Sequence, residues 1–406
     1  MSSSASPQLN SGPNPYPASA TALPSTTEPS ETPSNLQPPT TTTSSAPRTL
    51  HIGTRASALA LAQTTLFTTL LYSSSPHTPY AIHPTTTTGD QIQTTPLHTL
   101  AQTGKSLWTE ELEVLLLRGD IDCIVHSLKD VPTKLPKGCK VSAVGPRGSP
   151  GDVVVMRAGR PGGATTLAEL PPGSVVGTSS VRRAAMIRRR YPSLVLADVR
   201  GNIGTRLRKL DDPALNFDCL ILAGAGVMRL GLQERISSWI GRAEGMMRAV
   251  GQGAVGVEVR EEDEWVEGLM AGQGVRVRRV GWECVAERSL LRTVEGGCSV
   301  PVGVETEWED LPAPDPTSAE HQHQNQNPQT RNHEDPGPGL LHLRATVVSL
   351  DGTACVEAER SQHVGSDEEA EECGWEVARL LVEKGAGEIL SEIGLNRGMI
   401  EGMDGA

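Results

Sequence analysis

The sequence predicts an α/β fold distributed over two or three domains. Short β-like runs alternate with helical patterns along most of the chain, which is typical of largely parallel sheets flanked by helices. The length of 406 residues corresponds to roughly two or three domains of ordinary size. Apolar residues make up 37% of the chain and aromatic residues only 3%, so we expect cores built from aliphatic side chains.

Each predicted strand is a short apolar run bounded by turn residues. The predicted strands are TLHIGTR (49–55), IDCIVHSL (121–128), SVVGTSS (174–180), LVLADVR (194–200), DCLILAGAG (218–226) and VGVEVR (255–260). Helical patterns such as TEELEVLLLRG and SVRRAAMIRRRY fall between them, and Ser57 is expected to cap the helix ALALAQTTLFTTLL. Near the end, LHLRATVVSLDGTACVEAE predicts a β-hairpin that turns at Asp351–Gly352, followed by the helix GWEVARLLVEKGAGEIL.

Two segments are predicted to lie outside this folded pattern. Residues 1–47 are rich in Ser, Thr, Pro and Asn, and residues of about 305–339 are rich in Pro, Gln and Asn. Because neither segment has enough large apolar side chains to offset the entropy lost on ordering, we expect both to be disordered.

Charge and cysteine content narrow the possible functions. The net charge of −12 argues against a general binder of nucleic acid or membrane surfaces. The seven cysteines include no C-x-x-C pair, a spacing that favours neither a disulfide scaffold nor a zinc site. No run of about 18 apolar residues predicts a transmembrane helix. With neither an apolar leader nor an Arg-rich transit segment in the pattern, we expect a cytoplasmic protein without a bound metal.

A basic cluster at residues 182–209 holds nine of the 36 Lys and Arg residues of the chain. We interpret Arg188–Arg190 within it as a solvated helix face. Other arginines instead follow predicted strands, in turns that open helices (IGTRAS, GTSSVRR and DVRGNIGTR); these are Arg55, Arg182, Arg183, Arg200 and Arg206. Strand C-terminal ends and helix N-termini favour anions, so we expect a pocket for a ligand with several carboxylates or phosphates.

Two further segments carry reactive groups. Lys129 and Asp130 end an apolar strand in HSLKDVP. They form either a surface ion pair or an ionised carboxylate placed in the anion pocket, where it could stabilise a cation or relay a proton. Cys298 follows two glycines in EGGCSVPVG and is either an incidental loop cysteine or a covalent anchor facing the cleft.

Six segments in order give the chain its resemblance to the porphobilinogen deaminase family: IGTRASALALAQT, HSLKDVPT, GTSSVRRAAMI, DVRGNIGTRL, VGQGAVGVEVR and AERSLLRTVEGGCSVPVG. The resemblance implies two periplasmic-binding-protein-like domains with a hinge, plus a smaller C-terminal α/β domain that carries the cysteine. VGVEVR would then return the chain to the first domain. The implied boundaries are 48–146 plus 253–275, 150–248, and 278–400.

The resemblance also implies a transferase that condenses four porphobilinogen molecules into hydroxymethylbilane with release of ammonia, in haem biosynthesis. Cys298 matches the cysteine that carries a dipyrromethane cofactor through a thioether, and Asp130 matches the catalytic aspartate, with Lys129 and Arg55 beside it. Matching cofactor-binding positions are Thr178, Ser179, Ser180, Arg182, Arg183, Arg200, Arg206, Lys129 and Asp130. Matching substrate-binding positions are Arg55, Ser57, Arg147, Arg229 and Gln252. We expect a monomer that binds porphobilinogen and neither nucleic acid nor membrane.

One loop departs from the family pattern. Many members have Lys soon after the aromatic residue of this loop, whereas GKSLWTEELE places Trp108, Thr109 and Glu110 there. Ala101 replaces a lysine that some members have upstream, while Lys105 is retained. We expect these changes to alter anion contacts of the loop and not the reaction.

The sequence leaves two other functions open. A non-catalytic anion-binding module of the solute-binding type would share the arginines, but it would have no use for the loop cysteine. A nucleic-acid binder using RVRR (276–279) and the basic cluster at 182–209 would have few aromatic residues there for base stacking.

Overall fold

A computed structural model of the protein describes residues 47–91, 108–294, 300–310 and 337–393. These residues form three β-sheets of five, five and three strands with associated helices, so the predicted α/β class is confirmed. Within the described ranges, no helix is long and apolar enough to cross a membrane. The predicted N-terminal tail up to residue 46 lies outside these ranges.

The elements are numbered in chain order within the described residues. The strands are β1 (Leu50–Arg55), β2 (Tyr80–Thr85), β3 (Cys123–Ser127), β4 (Cys139–Val144), β5 (Asp152–Met156), β6 (Val175–Gly177), β7 (Val195–Ala197), β8 (Cys219–Ala223), β9 (Ser238–Ile240), β10 (Val255–Arg260), β11 (Val302–Glu309), β12 (Gly339–Val348) and β13 (Cys355–Val364). The α-helices are α1 (Ala58–Ser74), α2 (Thr88–Gln91), α3 (Glu110–Arg118), α4 (Val181–Arg190), α5 (Ile203–Asp211), α6 (Gly224–Arg229), α7 (Glu264–Met270), α8 (Arg278–Thr293) and α9 (Asp367–Leu381).

The first sheet has the strand order β2-β1-β3-β10-β4. Its members β2, β1 and β3 are parallel, whereas β10 runs antiparallel to both β3 and β4. The late strand β10 therefore returns the chain to the first sheet, as the resemblance implied. The second sheet repeats the arrangement in the order β7-β6-β8-β5-β9, with β5 antiparallel to both neighbours.

Four strands of each large sheet run in the same direction, and only β10 in the first sheet and β5 in the second run in the opposite one. The sheets are thus mixed, and the prediction of largely parallel sheets was wrong only for β5 and β10. The sequence patterns that mark these strands are short apolar runs, such as DVVVM, and such runs carry no signal of strand direction. The strands β2, β4, β5 and β9 of these sheets, and β11 of the third sheet, were not predicted.

The third sheet is antiparallel, in the order β11-β12-β13. The predicted hairpin at Asp351–Gly352 is confirmed, and Gly352 has the positive φ of 80° that its turn requires. Alternate residues of β12, from Leu341 to Val347, are buried in one apolar cluster with side chains of α8 and α9. The prediction of a disordered segment at about 305–339 was wrong at both ends, because residues 305–309 belong to β11 and Gly339 begins β12. Residues 311–336 lie outside the described ranges.

Two segments cross between the first and second sheets. The first leads from β4 to β5, and the second leads from β9 to β10. They are held together by the backbone N–H of Gly145, which donates to Val255 O (3.0 Å), and that of Gly148, which donates to Gly253 O (3.0 Å). Gly253 has a φ of 88°, and a Cβ there would collide with the Gly148 carbonyl oxygen. These paired segments, residues 145–151 and 249–254, are called the hinge below.

Candidate active site

A cavity lies where β1 and β3 end and α1 begins. Arg55 is the last residue of β1, and Ser57 caps α1, as predicted, by accepting from the N–H of Ala60 (3.3 Å). Asp130 ends a 3₁₀ turn, Leu128–Asp130, that follows β3, and its Oδ2 lies 4.0 Å from Arg55 Nη1. The cavity is lined in part by Arg55, Ser57, Gln63, Trp108, Ser127 and Asp130. The structure therefore brings three predicted site residues together.

Two cavity residues escaped the sequence reasoning. Gln63 is buried on α1 and donates from Nε2 to Ser127 Oγ (2.8 Å), which ties α1 to the end of β3. A glutamine directly after the apolar run ALALA, in a helix with no charged residue, was the signal that could have found it. Trp108, noted only as a departure, lies with its ring centre 4.4 Å from the Arg55 guanidinium carbon, within the range of a cation–π contact.

Lys129 lies beside Asp130 in the 3₁₀ turn. Burial lowers the pKa of Lys129, and the positive charges of Arg183 and Arg206 lower it further, while Asp130 and Asp152 oppose the shift. The side chains of both large sheets therefore act on one lysine, and we call the surroundings of Lys129, Asp130, Arg183 and Arg206 the basic pocket.

The segment Thr178–Ser180 leads from β6 into α4, as the sequence predicted for a strand-to-helix turn. Ser180 caps α4 by accepting from the backbone N–H of Arg183 (3.4 Å), and Thr178 Oγ1 accepts from the N–H of Ser180 (3.2 Å). Ser179 Oγ donates to Val199 O (2.9 Å), which joins this turn to the one that opens α5. Two helix N-termini, each with a positive dipole end, therefore begin side by side.

Asp152 joins Arg182 and Arg183 in a buried ion cluster. Its Oδ2 lies 2.8 Å from Arg182 Nη2, its Oδ1 lies 2.7 Å from Arg183 Nη2, and Gln252 Nε2 donates to Oδ1 (2.9 Å). Burial raises the pKa of Asp152, but the two guanidiniums outweigh burial and hold that pKa well below its usual range. Arg183 Nε still has no hydrogen-bond partner among the described residues.

Asp152 was not predicted as a site residue. It starts an otherwise apolar strand, and a lone carboxylate in that position could have suggested a buried ion pair. Its partners lie about thirty and one hundred positions away, so the pairing itself has no local signal.

Arg200 and Arg206 add positive charge to the basic pocket. Burial, followed by repulsion from Arg183 and Arg200, lowers the pKa of Arg206 to about 10, although Asp130 opposes the shift. Burial also lowers the pKa of Arg200. Because crowded, desolvated guanidiniums disfavour one another's charge, an entering carboxylate or phosphate would be stabilised here.

Arg147 lies at the hinge and not at the cavity. Its guanidinium lies 2.7 Å from Glu283 Oε2 and makes two contacts with Glu287, of 2.9 and 3.0 Å. Both glutamates belong to α8. The charge of Arg147 is therefore matched by carboxylates of the protein itself, and Arg147 is not among the residues that line the cavity.

Arg229 and Gln252 also contact the hinge. Arg229 Nη2 donates to Gly253 O (2.7 Å), and Gln252 Nε2 donates to Pro150 O (2.7 Å) as well as to Asp152. Neither residue is among those that line the cavity. Their contacts hold the two crossing segments against each other and against the second sheet.

The triplet Arg188–Arg190 is exposed, as predicted for a solvated helix face, but two of its arginines also contact the hairpin turn of the third sheet. Arg188 Nη1 donates to Leu350 O (2.7 Å), and Arg189 Nη1 donates to Thr353 O (3.2 Å). The hairpin turn of the third sheet thus rests on α4, the helix that carries Arg182 and Arg183.

Cys298, Lys105 and Ala101 lie outside the described residues. Among the cysteines that are described, burial raises the thiol pKa to about 12 in Cys139, Cys219 and Cys284 and to about 11 in Cys373, and it also raises the thiol pKa of Cys123. Such thiols are poor nucleophiles, because the thiolate is the reactive form. In the same ranges, no group of three or more His, Cys, Asp or Glu side chains is placed to hold a metal ion.

Comparison with known proteins gives matches over most of the chain. The family described as "Porphobilinogen deaminase, dipyromethane cofactor binding domain" matches residues 50–268, and its C-terminal domain matches residues 282–312. The porphobilinogen deaminase of Neurospora crassa is 44% identical over 86% of this chain and 95% of its own. That of Yarrowia lipolytica is 44% identical over 85% and 94%, and that of Saccharomyces cerevisiae is 40% identical over 86% and 99%.

The solved structures that align with this chain are more distant. The periplasmic VFT2 domain of Bordetella pertussis BvgS aligns with a TM-score of 0.32 and 12% identity over 55% of this chain and 85% of its own. The methionine binding protein MetQ aligns with a TM-score of 0.33 and 10% identity over 59% and 91%.

Proposed function

The chain belongs to the porphobilinogen deaminase family and is an enzyme of tetrapyrrole biosynthesis, and from that premise we propose which of its residues hold the cofactor, bind substrate and move protons. The family's reaction joins porphobilinogen units into hydroxymethylbilane and releases ammonia. The observation that carries the assignment is the convergence of Asp130 with Arg55, Lys129 and Arg206, three cations contributed by both large sheets.

The basic pocket fits a dipyrromethane cofactor, whose acetate and propionate groups are carboxylates. Arg183 Nε is a buried donor without a partner among the described residues, and the guanidinium of Arg206 is destabilised by its cationic neighbours. Both features favour an anionic ligand. The proposed cofactor-binding residues are Thr178, Ser179, Ser180, Arg182, Arg183, Arg200, Arg206, Lys129 and Asp130, with Cys298 as the covalent anchor. When bound, this group supplies the pyrrole carbon to which the first substrate unit is joined.

Asp130 is proposed to handle the protons of the reaction. Its side chain is about one-third exposed, so it is accessible from the cavity while Arg55 and Lys129 flank it. As a carboxylate, it can accept a hydrogen bond from the substrate ammonium and stabilise the cation that remains when ammonia departs. The same carboxylate can then take the proton that a pyrrole ring loses as the new carbon–carbon bond forms.

Arg55 and Ser57 are proposed to bind the substrate, with Lys129 and Arg55 orienting its carboxylates beside Asp130. Arg55 and Ser57 both line the cavity, and Ser57 caps a helix whose N-terminus favours anions. The resemblance also proposed substrate binding for Arg147, Arg229 and Gln252. Their contacts favour a different role, which is to hold the hinge.

The mass of the intact, denatured protein tests the covalent part of this proposal. The purified protein should be heavier than its sequence by one dipyrromethane, and Cys298→Ala should lack this increment. Cys355→Ala is the matched control, because Cys355 is half-buried in the third sheet and contacts Thr346 (3.3 Å). An unmodified mass, together with no uroporphyrin absorbance after incubation with porphobilinogen and acid oxidation, would refute the proposal.

We also propose that the enzyme is cytoplasmic and monomeric, with domains at 48–146 plus 253–275, 150–248 and 278–400. The division of the strands among three sheets supports the domain boundaries, and the scattered cysteines support a reducing compartment. Light scattering coupled to size-exclusion chromatography tests the monomer, because a dimer would double the mass from 43.1 kDa.

A further inference from the structure

Helix α8 holds the backbone just beyond Asp130. Arg288 of α8 donates from Nη1 to Val131 O (3.0 Å) and from Nη2 to Pro132 O (2.6 Å). These carbonyls belong to the two residues that directly follow Asp130. A planar guanidinium that spans two consecutive carbonyls fixes both the position and the orientation of that backbone, which a single donor would not.

The backbone just before Lys129 is anchored as well. Leu128 N–H donates to Ala254 O (3.1 Å), and both Leu128 and Val131 are buried in one apolar cluster with Cys284 of α8. The turn is therefore fixed on both sides of Lys129–Asp130. The two hydrogen bonds from the Arg288 guanidinium, called the Arg288 fork below, are the polar part of this attachment. The apolar cluster would remain if the Arg288 fork were removed.

The same helix also contacts the hinge. Glu287, the neighbour of Arg288, accepts a hydrogen bond at Oε2 from the N–H of Gly251 (2.7 Å). Gly251 packs so closely on the turn that a Cβ there would lie 3.2 Å from Lys129 N. Helix α8 thus contacts both the hinge and the turn that carries Asp130. In the sequence, Cys298 lies five positions after the end of α8.

We propose that Arg288 is a positioning residue for the reaction, which sets the place of the Asp130 carboxylate through the carbonyls of Val131 and Pro132. This inference rests on the proposed role of Asp130. Without the fork, the apolar cluster keeps the turn attached, so the protein folds and binds its cofactor, but the carboxylate is less well placed. A displacement of about 1 Å can reduce a rate by about 100-fold.

The test compares three variants of the full-length, cofactor-loaded enzyme: Arg288→Gln, Arg288→Lys and Arg292→Gln. Arg292 is the matched control, because it lies one helical turn further along α8, is about one-third exposed and pairs with Glu371. Cofactor loading is read from intact mass, folding from the thermal midpoint, and function from kcat and KM for porphobilinogen.

We expect Arg288→Gln to carry the cofactor and to lose about 10- to 100-fold in kcat, with KM changed by less than about threefold. Arg288→Lys, which keeps a cationic donor, should recover part of kcat, and it carries the test alone if Arg288→Gln does not fold. Arg292→Gln should resemble the unaltered enzyme.

The inference is overturned if Arg288→Gln, or Arg288→Lys where it alone folds, retains the kcat of the unaltered enzyme, or if the loss appears only in cofactor loading or KM. If the unaltered enzyme itself carries no cofactor and shows no turnover, it is the proposed function that fails. That outcome is seen before any Arg288 variant is compared.

Discussion

Arg147 and Glu287 form a two-pronged ion pair between the hinge and α8, with Nη1 2.9 Å from Oε1 and Nη2 3.0 Å from Oε2. Burial raises the pKa of Glu287, but the charges of Arg147 and Arg248 outweigh burial and lower it. The Glu287 side chain is fully buried. Because a buried ion pair is stable only while both partners are present, this contact makes the hinge depend on α8.

Glu287→Gln should therefore lower the free energy of unfolding by about 3–5 kcal/mol, since it leaves the Arg147 guanidinium buried without its full countercharge. Urea denaturation measures this change. Arg235→Gln is the control, because its ion pair with Asp211 is partly exposed and should contribute no more than about 1 kcal/mol. Equal effects of the two substitutions would show that the hinge does not depend on this pair.

The contact between the hairpin turn and α4 predicts a large effect for Gly352→Ala. Gly352 has a φ of 80°, and a Cβ there would lie 2.6 Å from Arg189 N. Gly173 has a φ of 84° but nothing within 4 Å of such a Cβ. Gly173→Ala should therefore cost only the backbone strain of about 1–2 kcal/mol, and Gly352→Ala should cost more than that.

Thermal unfolding of both glycine variants measures the difference, which isolates the packing of the hairpin on α4. If the two variants lose the same stability, the hairpin is free to move away from α4 at little cost, and the contact does not couple the third sheet to the second.

The parts of the site that follow from local sequence were predicted correctly. The turns at Ser57 and Thr178–Ser180 begin helices as expected, because capping hydroxyls and strand ends leave a local pattern. The countercharge of Arg182 and Arg183 could not be predicted, because Asp152 meets them only after two strands and a helix have packed together.

The direction of the strands was likewise hidden from the sequence. In β5 and β10, apolar residues mark a buried strand, but only the hinge determines that the chain enters each sheet from its opposite end. Long-range contacts were also hidden in the case of Arg147. The resemblance implied that Arg147 binds substrate, but the sequence gave no sign that it contacts Glu283 and Glu287 on α8.

Asp130→Asn should abolish most turnover while retaining the cofactor, because the substitution keeps the shape of the side chain and removes its ability to take a proton. General acid–base catalysis typically accelerates a reaction by about 10²- to 10⁴-fold, so we expect kcat to decrease by a factor in that range. Asp120→Asn, an exposed position ten residues earlier, is the control. Turnover in Asp130→Asn near that of the unaltered enzyme would remove Asp130 from the chemistry.

The pH dependence of kcat/KM tests the charge of Lys129. Burial lowers the pKa of Lys129 from its ordinary value of about 10.4, so the folded protein loses this proton at a lower pH than an ordinary lysine does. If this ammonium group orients substrate carboxylates, kcat/KM falls as the pH rises through the lowered pKa. Lys129→Arg should move that fall to higher pH, because a guanidinium stays protonated. Lys140→Arg, at a half-exposed ion pair with Glu267, should leave the profile unchanged.

The same pKa shift has the opposite effect on stability, which separates loss of activity from unfolding. In the window between the lowered pKa and about pH 10.4, the unfolded chain binds the Lys129 proton and the folded protein does not. The Lys129 contribution to the free energy of unfolding therefore rises with pH in this window, while kcat/KM falls. Urea denaturation of the unaltered enzyme and of Lys129→Arg at several alkaline pH values measures this contribution as the difference between them. A profile of kcat/KM that is identical in the two proteins would show that the charge of Lys129 does not contribute to substrate binding or turnover.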